Sequence, residues 1–555
     1  MRTAMKHSPV RVFAWRSALL LALAAVVMAV SMRTLAGAVP TSQPNPVSSA
    51  PSESGSEMPT PAVRFSTPTP MPTYSPPAPS IPDTTAFGKI GELERAGAGP
   101  LPASDHHPHR TTQPSALLSY LSDPDPTVVA RAAIALGRLR NPAGAGALIA
   151  LLQNKSSSDD VKAAAAFSLG VIGSEGAESA LSASVLHDDS EVAGAAADSL
   201  GRIGGDAVVD PLVRALSSRD PFVRGKAAIG LGEATAVVMP PRPMDPSFRV
   251  SAAQALSSAI RYERDPEAKW RMAWAIGRSL YDEDQADLRT MIADKEELVR
   301  EFAAQGMRRL NDPKYALALH LAANDPSWRV RVEVARALAS LKDQTPVNLT
   351  PAPVPDADQD KPTPMPTSSP YGVHPEVAIV TTKGTIVVEL FPDEAPYTVD
   401  NFLYLVDRGY YDNQQLFRVI LDFVIQGGDP TNGGEDGGPG YSIPAELNPV
   451  EQLTGVLAFG LDYPNNVPDV DSAGSQFYVT ESPQLHLDEN FSTFGRVVKG
   501  MAVVDAIRAH SADTLDQRKL PADIVTQMYR CQPVIAQTDD IERLLRTAEI
   551  GYDAQ

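Results

Sequence analysis

Few side chains in this 555-residue sequence are of a type and spacing to do covalent or metal chemistry. Cys531 is the only cysteine, so neither an intrachain disulfide nor a multi-cysteine zinc site can form. The string His106-His107-Pro108-His109 has ligands for a transition metal, but it sits in a proline-rich stretch and reads as solvated linker. His187 stands beside Asp188-Asp189 and His320 in an apolar helical stretch, and no His-Glu pair accompanies either. Single histidines of that kind are structural or surface residues, so neither a metal nor a cofactor is expected. Gly433–Gly440 is followed by no Gly-Lys-Ser/Thr and reads as a turn, not a phosphate cradle. What remains is Arg418, Phe423 and Gln426 close together, then Gln476 and Tyr478. Taken singly, a strand arginine pairs with an acid and a buried phenylalanine is core. Taken together at this spacing they favour a functional site over that structural reading.

The elements that must position these residues are β-rich. Glu376–Thr382 and Thr385–Phe391 alternate β-branched and polar residues around Lys383-Gly384 and predict a hairpin. Asp393-Glu394-Ala395-Pro396 opens a helix with Val399, Phe402, Leu403 and Val406 on one stripe, and Gly409 caps it. Three strings follow: Phe417-Arg418-Val419-Ile420-Leu421-Asp422-Phe423-Val424-Ile425-Gln426-Gly427-Gly428-Asp429-Pro430, Gly474-Ser475-Gln476-Phe477-Tyr478-Val479-Thr480, and Leu487-Asp488-Glu489-Asn490-Phe491-Ser492-Thr493-Phe494-Gly495-Arg496-Val497. In order and spacing they resemble the cyclophilins across about 150 residues, and Gly437-Gly438-Pro439-Gly440-Tyr441 with Ile443-Pro444-Ala445-Glu446 is similar to the bacterial branch.

The resemblance implies an eight-stranded antiparallel β-barrel with capping helices and peptidyl-prolyl cis–trans isomerase activity. It implies Arg418, Gln426 and Gln476 as catalytic residues. Phe423, Val424, Tyr478, Leu487 and Phe491 match the proline pocket. Gly460 and Leu461 match the segment that holds the peptide backbone. His486 stands where many relatives have the tryptophan that contacts cyclosporin, so strong cyclosporin binding is not expected. Val424, Tyr478 and Phe491 replace the frequent Met, Phe and His, which reshapes the pocket while keeping it apolar. The loop Asp462–Asp471 is longer than usual and is expected to modify access to the groove.

A second folded unit precedes this one. Positions 128, 161, 192 and 223 begin copies of a Val…Ala-Ala…Leu-Gly pattern at spacings of 33, 31 and 31, and three further copies begin at Trp270, Val299 and Val330. A nearly fixed period of this length marks a solenoid whose helix pairs bury their faces against neighbours. The pattern resembles the short HEAT repeats of phycobilisome lyases. Within a copy the alanines allow close helix approach, and the Leu-Gly pairs are expected to end the helices. Asp220-Pro221, Asp265-Pro266 and Asp325-Pro326 suit helix starts. Trp270 and Trp274 share a helix face and read as core. The recurrent Arg131, Arg224, Arg271, Arg300 and Arg331 are expected to pair with turn aspartates, the rival being an acidic peptide partner.

Composition sets the rest. The prolines crowd into residues 39–114 and 344–374, which read as disordered linkers. Arg2 to Arg16 is basic, Ser17–Met32 is apolar, and Ala36-Gly37-Ala38 offers a cleavage site, so residues 1–38 read as a signal peptide or N-terminal membrane anchor. The formal net charge of −19 argues against nucleic acid as a partner. The expected order is therefore signal or anchor (1–38), linker (39–114), HEAT solenoid (115–343), linker (344–374), isomerase domain (375–535) and a helical tail (536–555). The expected function is an exported isomerase for proline-containing clients, with a protein partner on the solenoid and the two units acting semi-independently across their linker. The alternative is a scaffold whose barrel binds proline peptides without turnover.

Overall fold

The computed structural model describes residues 85–95, 115–349, 374–510 and 523–531, apart from short gaps at 188, 237–240, 280–285, 432–437 and 464–467. The basic and apolar N-terminus, the histidine string at 106–109, most of the second linker and the tail beyond 531 lie outside the described residues. Among the described residues no helix is long and apolar enough to cross a membrane.

The repeated motif forms a row of helices: α1 (Pro126–Arg138), α2 (Asp159–Ile172), α3 (Ser190–Ile203), α4 (Pro221–Ala234), α5 (Pro266–Ser279), α6 (Glu297–Leu310) and α7 (Trp328–Ser340). Each follows a partner helix, such as Ala145–Gln153 before α2 and Pro246–Ile260 before α5. Asp125 and Asp220 cap α1 and α4 through the Thr127 and Phe222 N–H groups, each with proline at the first helical position. Asp265 accepts from Ala268 N–H in the same way at α5. At α7 the cap is Ser327, so Asp325-Pro326 lies one step outside the helix. Trp270 and Trp274 are buried, Trp270 stacking on Phe302 at 5.8 Å.

The Leu-Gly pairs do not end the helices. Gly137, Gly170, Gly201 and Gly232 lie inside α1–α4, where successive row helices cross. A Cβ on Gly137 would come within 2.6 Å of Ser168, and one on Gly232 within 2.8 Å of Ala275. Ser168 and Ser199 hydroxyls donate across two of these crossings to Ala133 and Ala166 carbonyls at 2.9 and 2.7 Å. The helix ends fall later, on left-handed Gly173 and Asn311 at α2 and α6. Glycine serves both a cap and a close crossing, and a single sequence does not distinguish them.

The recurrent arginines close turns. Arg224 donates to the Ser218 and Arg219 carbonyls and bonds Glu263 with both arms at 2.6 and 2.8 Å. Arg300 repeats this with Asp294, Lys295 and Asp325. Arg331 reaches the Asp325 and Pro326 carbonyls. Arg131 pairs instead with Glu94, on a helix Ala86–Arg95 inside the stretch that reads as linker. That helix docks because Ile90 is fully buried in the solenoid core with Phe87 and Leu93 beside it; ten ordered residues were masked in the sequence by their proline-rich surroundings.

The second unit is an antiparallel sheet of nine strands: β1 (Glu376–Thr381), β2 (Gly384–Leu390), β3 (Gln414–Gln415), β4 (Arg418–Ile420), β5 (Val424–Gly427), β6 (Val456–Phe459), β7 (Phe477–Thr480), β8 (Thr493–Lys499) and β9 (Ile524–Arg530). Their order is β3-β9-β1-β2-β8-β6-β7-β5-β4. The two-residue β3 accounts for the difference from the eight strands expected. The β1–β2 turn places Gly384 at φ 140°, which a side chain would resist. Helix α8 (Pro396–Val406) covers one end of the sheet, with Phe402 fully buried among Tyr411, Phe459, Phe477 and Phe494. Its first N–H groups are met by the Glu446 carboxylate, at 2.7 Å for Thr398. Helix α9 (Met501–His510) packs near β2.

The two units are not semi-independent. Cations along the helix row grip the loops of the sheet domain. Arg138 Nε donates to Leu447 O at 2.8 Å, and Arg202 Nε meets Glu489 at 2.6 Å. Lys226 lies between Asp198 at 2.6 Å and Glu451 at 3.0 Å, and Arg271 reaches the same Glu451 at 2.5 Å. At the far end, Arg336 donates to Leu421 O at 2.6 Å, and Trp328 and Val332 of α7 enclose Leu421. Leu485 of the sheet domain is counted in the solenoid's own core and is fully buried. A linker allows separation, but buried ion pairs and a shared core oppose it.

Burial alone would raise the Glu451 carboxyl; Lys226 and Arg271 outweigh it and hold the group down to about 2. Glu451→Gln leaves two buried cations facing a neutral amide. It should destabilise the protein by about 3–5 kcal/mol, against less than about 1 kcal/mol for Glu267→Gln at the exposed end of the network. Equal shifts in thermal unfolding for the two variants would show that the buried interface is not what matters. A carboxyl held low stabilises fully above the usual 4.5 and loses that contribution as pH falls towards 2. Stability of the native chain should therefore fall through this window more steeply than that of Glu451→Gln.

Candidate active site

Pairing across β4, β5 and β7 brings the polar candidates into one row. Arg418 lies opposite Gln426, and Gln426 opposite Tyr478. Arg418 Nη1 donates to Gln426 Oε1 at 3.0 Å, and Gln426 Nε2 donates to Gln476 Oε1 at 3.0 Å. The chain of amides fixes the guanidinium from behind and leaves its other N–H groups directed elsewhere. Gly460 is needed beside it: a Cβ there would stand 3.0 Å from Gln426 Nε2. Its N–H donates to Gln476 O at 2.7 Å, which ties the Gly460-Leu461 segment to the same row. Burial lowers the Arg418 guanidinium somewhat and the nearby Tyr463 opposes this, so it stays a cation at neutral pH.

Beside this row lies a dry wall. Val424, Ala458, Tyr478 and Phe491 form a buried cluster, with Phe423, Leu461 and Leu487 packed at its margin. Tyr478 and Phe491 meet edge to face with centroids 5.6 Å apart. Arg418 Cζ stands 5.8 Å from the Phe423 ring centre. All the pocket residues expected from the sequence are thus together, with Gly460 on the amide row. His486 is exposed at the margin of this group and stacks on Phe423 with ring centres 5.9 Å apart. Although the residue reaches the surface, the protein packed around it, then the positive charges of Arg278 and Arg309, push its imidazole down.

Three residues at the site were missed. Ala458 is silent in the sequence because small core residues carry no signal. Gln452 accepts from the buried Tyr478 hydroxyl at 2.6 Å and donates to Leu487 O at 3.1 Å. Tyrosine in a position where relatives have phenylalanine signals that a buried partner must exist, though not which one. Tyr463 is half exposed at 51 % and belongs to the long loop, held at its base by Asp469 N–H donating to Asp462 O at 2.9 Å.

The loops that carry the pocket rest on the solenoid. Phe423 follows Asp422, whose φ of 57° makes the sharp β4–β5 turn. That turn is held by Ser482 Oγ donating to Asp422 O at 2.9 Å, by Glu481 N–H donating to Phe423 O at 2.8 Å, and by Arg336 on Leu421 O. Arg329 of α7 donates to Glu481 O at 3.2 Å. Arg336→Ala should therefore loosen Phe423 without touching Arg418. The expected result is a several-fold rise in KM for proline peptides with a smaller change in kcat, and an unchanged KM would show that the turn is rigid without the solenoid.

The family model for cyclophilin type peptidyl-prolyl cis–trans isomerases matches residues 376–530, and that for HEAT repeats matches 147–232 and 253–339. A peptidyl-prolyl cis–trans isomerase of Arabidopsis thaliana is 38% identical over 151 residues, which cover 27% of this chain and 91% of that protein. Peptidyl-prolyl cis–trans isomerase-like 1 of Neurospora crassa is 41% identical over 152 residues, covering 27% of this chain and 91% of the relative. The Homo sapiens protein of the same name is 40% identical over 147 residues, 26% of this chain and 85% of its own length. The arginine–diamide row and its apolar pocket thus lie within a matched domain, and through residues 376–530 the chain belongs to the cyclophilin-type peptidyl-prolyl cis–trans isomerases, with HEAT repeats preceding that domain.

Proposed function

We propose that the chain accelerates Xaa-Pro isomerisation in polypeptide clients and that Arg418 is the residue that does so. The observation that carries this is the Arg418–Gln426–Gln476 chain set beside the Val424–Tyr478–Phe491 wall. Rotation about an amide C–N bond crosses a barrier of about 18–20 kcal/mol because the bond has partial double-bond character. In the twisted state the prolyl nitrogen regains its lone pair and becomes a better acceptor. A guanidinium N–H aimed at that nitrogen binds the twisted state more strongly than either planar isomer, which is what lowers the barrier.

The apolar wall grips the proline ring and keeps water from the guanidinium, so the hydrogen bond is made in a low-dielectric setting. The Gly460-Leu461 backbone holds one side of the peptide while the other turns. No bond is made or broken, and the step needs no nucleophile. Tyr463, on the long loop near Arg418, flanks the entrance and restricts the residues next to proline. Arg418→Ala should lower kcat/KM in a protease-coupled isomerisation assay by about 10²–10³-fold, the usual effect of losing one transition-state donor. Unchanged turnover with an intact fold would overturn the assignment.

Six cations of the array's row are engaged by the chain's own barrel, so binding of a separate protein partner by the HEAT repeats is assigned to surfaces outside that row. Export is the second part of the proposal. The basic Arg2–Arg16 segment, the apolar Ser17–Met32 run and the small residues Ala36-Gly37-Ala38 support placement outside the cytoplasm, cleaved or anchored. A reporter fused after Pro114 should be active only if it works as an exported enzyme; activity of a cytoplasm-dependent reporter at that position would overturn export.

A further inference from the structure

The cations along the helix row have two fates. Arg138, Arg202, Lys226, Arg271, Arg329 and Arg336 each bond a carboxylate or carbonyl of the sheet domain. Arg278 and Arg309, at the C-terminal ends of α5 and α6, do not. Among the described residues Arg309 donates only to Gly277 O, at 3.3 Å, within the solenoid. Arg278 lies over the Trp274 ring with its Cζ 4.8 Å from the centre, and its Nε has no hydrogen-bond partner among the described residues. The close crossing at Gly277 and Gly306 sets the two side by side. Both remain partly accessible, and both act on His486, the exposed residue stacked on Phe423 at the pocket rim.

Among the described residues, the acids whose charge reaches this pair are shared with other cations. Glu233, whose charge reaches Arg278, is shared with Arg202. Glu333, whose charge reaches Arg309, is bonded to Arg308 at 3.1 Å and to Arg336 at 2.5 Å. Two neighbouring guanidinium groups, one of them orientated by an indole, thus present positive charge to the rim of a groove through which a peptide must pass. A neutral His486 neither adds to that charge nor offsets it.

We propose that Arg278 and Arg309 form an acid-selecting subsite, contributed by the solenoid, that receives an aspartate or glutamate side chain of the client segment flanking the isomerised proline. The inference rests on the isomerase reading and adds a substrate preference to it. It makes the HEAT array the second wall of the substrate groove. The preference is for the flank of the proline that passes over His486, away from the Gly460-Leu461 backbone.

The test uses the full chain and proline peptides that differ only in carrying Glu or Gln at each position before and after the proline. In one register the Glu peptide should show kcat/KM about three- to tenfold above its Gln twin at low ionic strength, the range of a partly exposed charge pair. That ratio should fall towards one at about 1 M salt, where the screening length is about 3 Å. In R278Q/R309Q the ratio should also approach one, whereas R278K/R309K should keep most of it. Native-like unfolding of the glutamine variant is checked alongside, and the salt series on the unaltered chain stands independently of it. An absence of preference in every register, a preference that survives R278Q/R309Q, or one that persists at high salt overturns the subsite. Failure of the unaltered chain to turn over any peptide overturns the isomerase reading instead.

Discussion

Glu451 lies where the two folded units meet, and much of the molecule depends on how its charge is met. The carboxylate is taken out of water between Lys226 and Arg271, and Lys226 is itself shared with Asp198. Any one of these charges left alone in that setting would be strongly destabilising. Docking is thus conditional on all four being present and correctly placed. The arrangement fixes one relative orientation because the ammonium and the guanidinium approach from different helices, α4 and α5.

The same contact surface carries order into the isomerase pocket. Leu485 is buried in the solenoid core while its neighbour Leu487 edges the proline pocket two residues later. Leu421 is enclosed by Trp328 and Val332, and Phe423 follows it after a single turn. A pocket on loops is only as well defined as the elements beneath those loops. Here part of that support comes from another domain, so the solenoid acts as a structural part of the catalytic unit and not as a tethered accessory.

The chemistry at the centre remains modest in kind. In the proposed mechanism a guanidinium, two amides and an apolar wall stabilise a twisted amide by hydrogen bonding and exclusion of water. Selectivity, as proposed above, lies in what surrounds that centre. Tyr478 fills its pocket with a hydroxyl that needs Gln452, Tyr463 stands at the entrance, and Arg278 with Arg309 brings positive charge to the rim. Each of these lies around the proposed catalytic row, which allows client preference to vary without altering the step itself.

Local patterns determined a great deal. Alternation around Lys383-Gly384 specified the β1–β2 hairpin, the stripe through Phe402 specified α8, and the strings holding Arg418, Phe423, Gln426, Gln476 and Tyr478 pointed to residues that the sheet brings together, because each is a relation between residues near in sequence or set by strand pairing. The repeat period specified the helix row for the same reason. Other features were decided only in three dimensions. Gly137 and its counterparts turned out to be crossing points, since cap and crossing both select the smallest residue. Ala86–Arg95 became ordered because Ile90 and Glu94 found partners in α1 and its surroundings. Above all, the pairing of Glu451 with Lys226 and Arg271 joins residues about 180 or more positions apart. No composition or periodicity records such a meeting, since buried charge complementarity is a property of two folded surfaces and not of either segment alone.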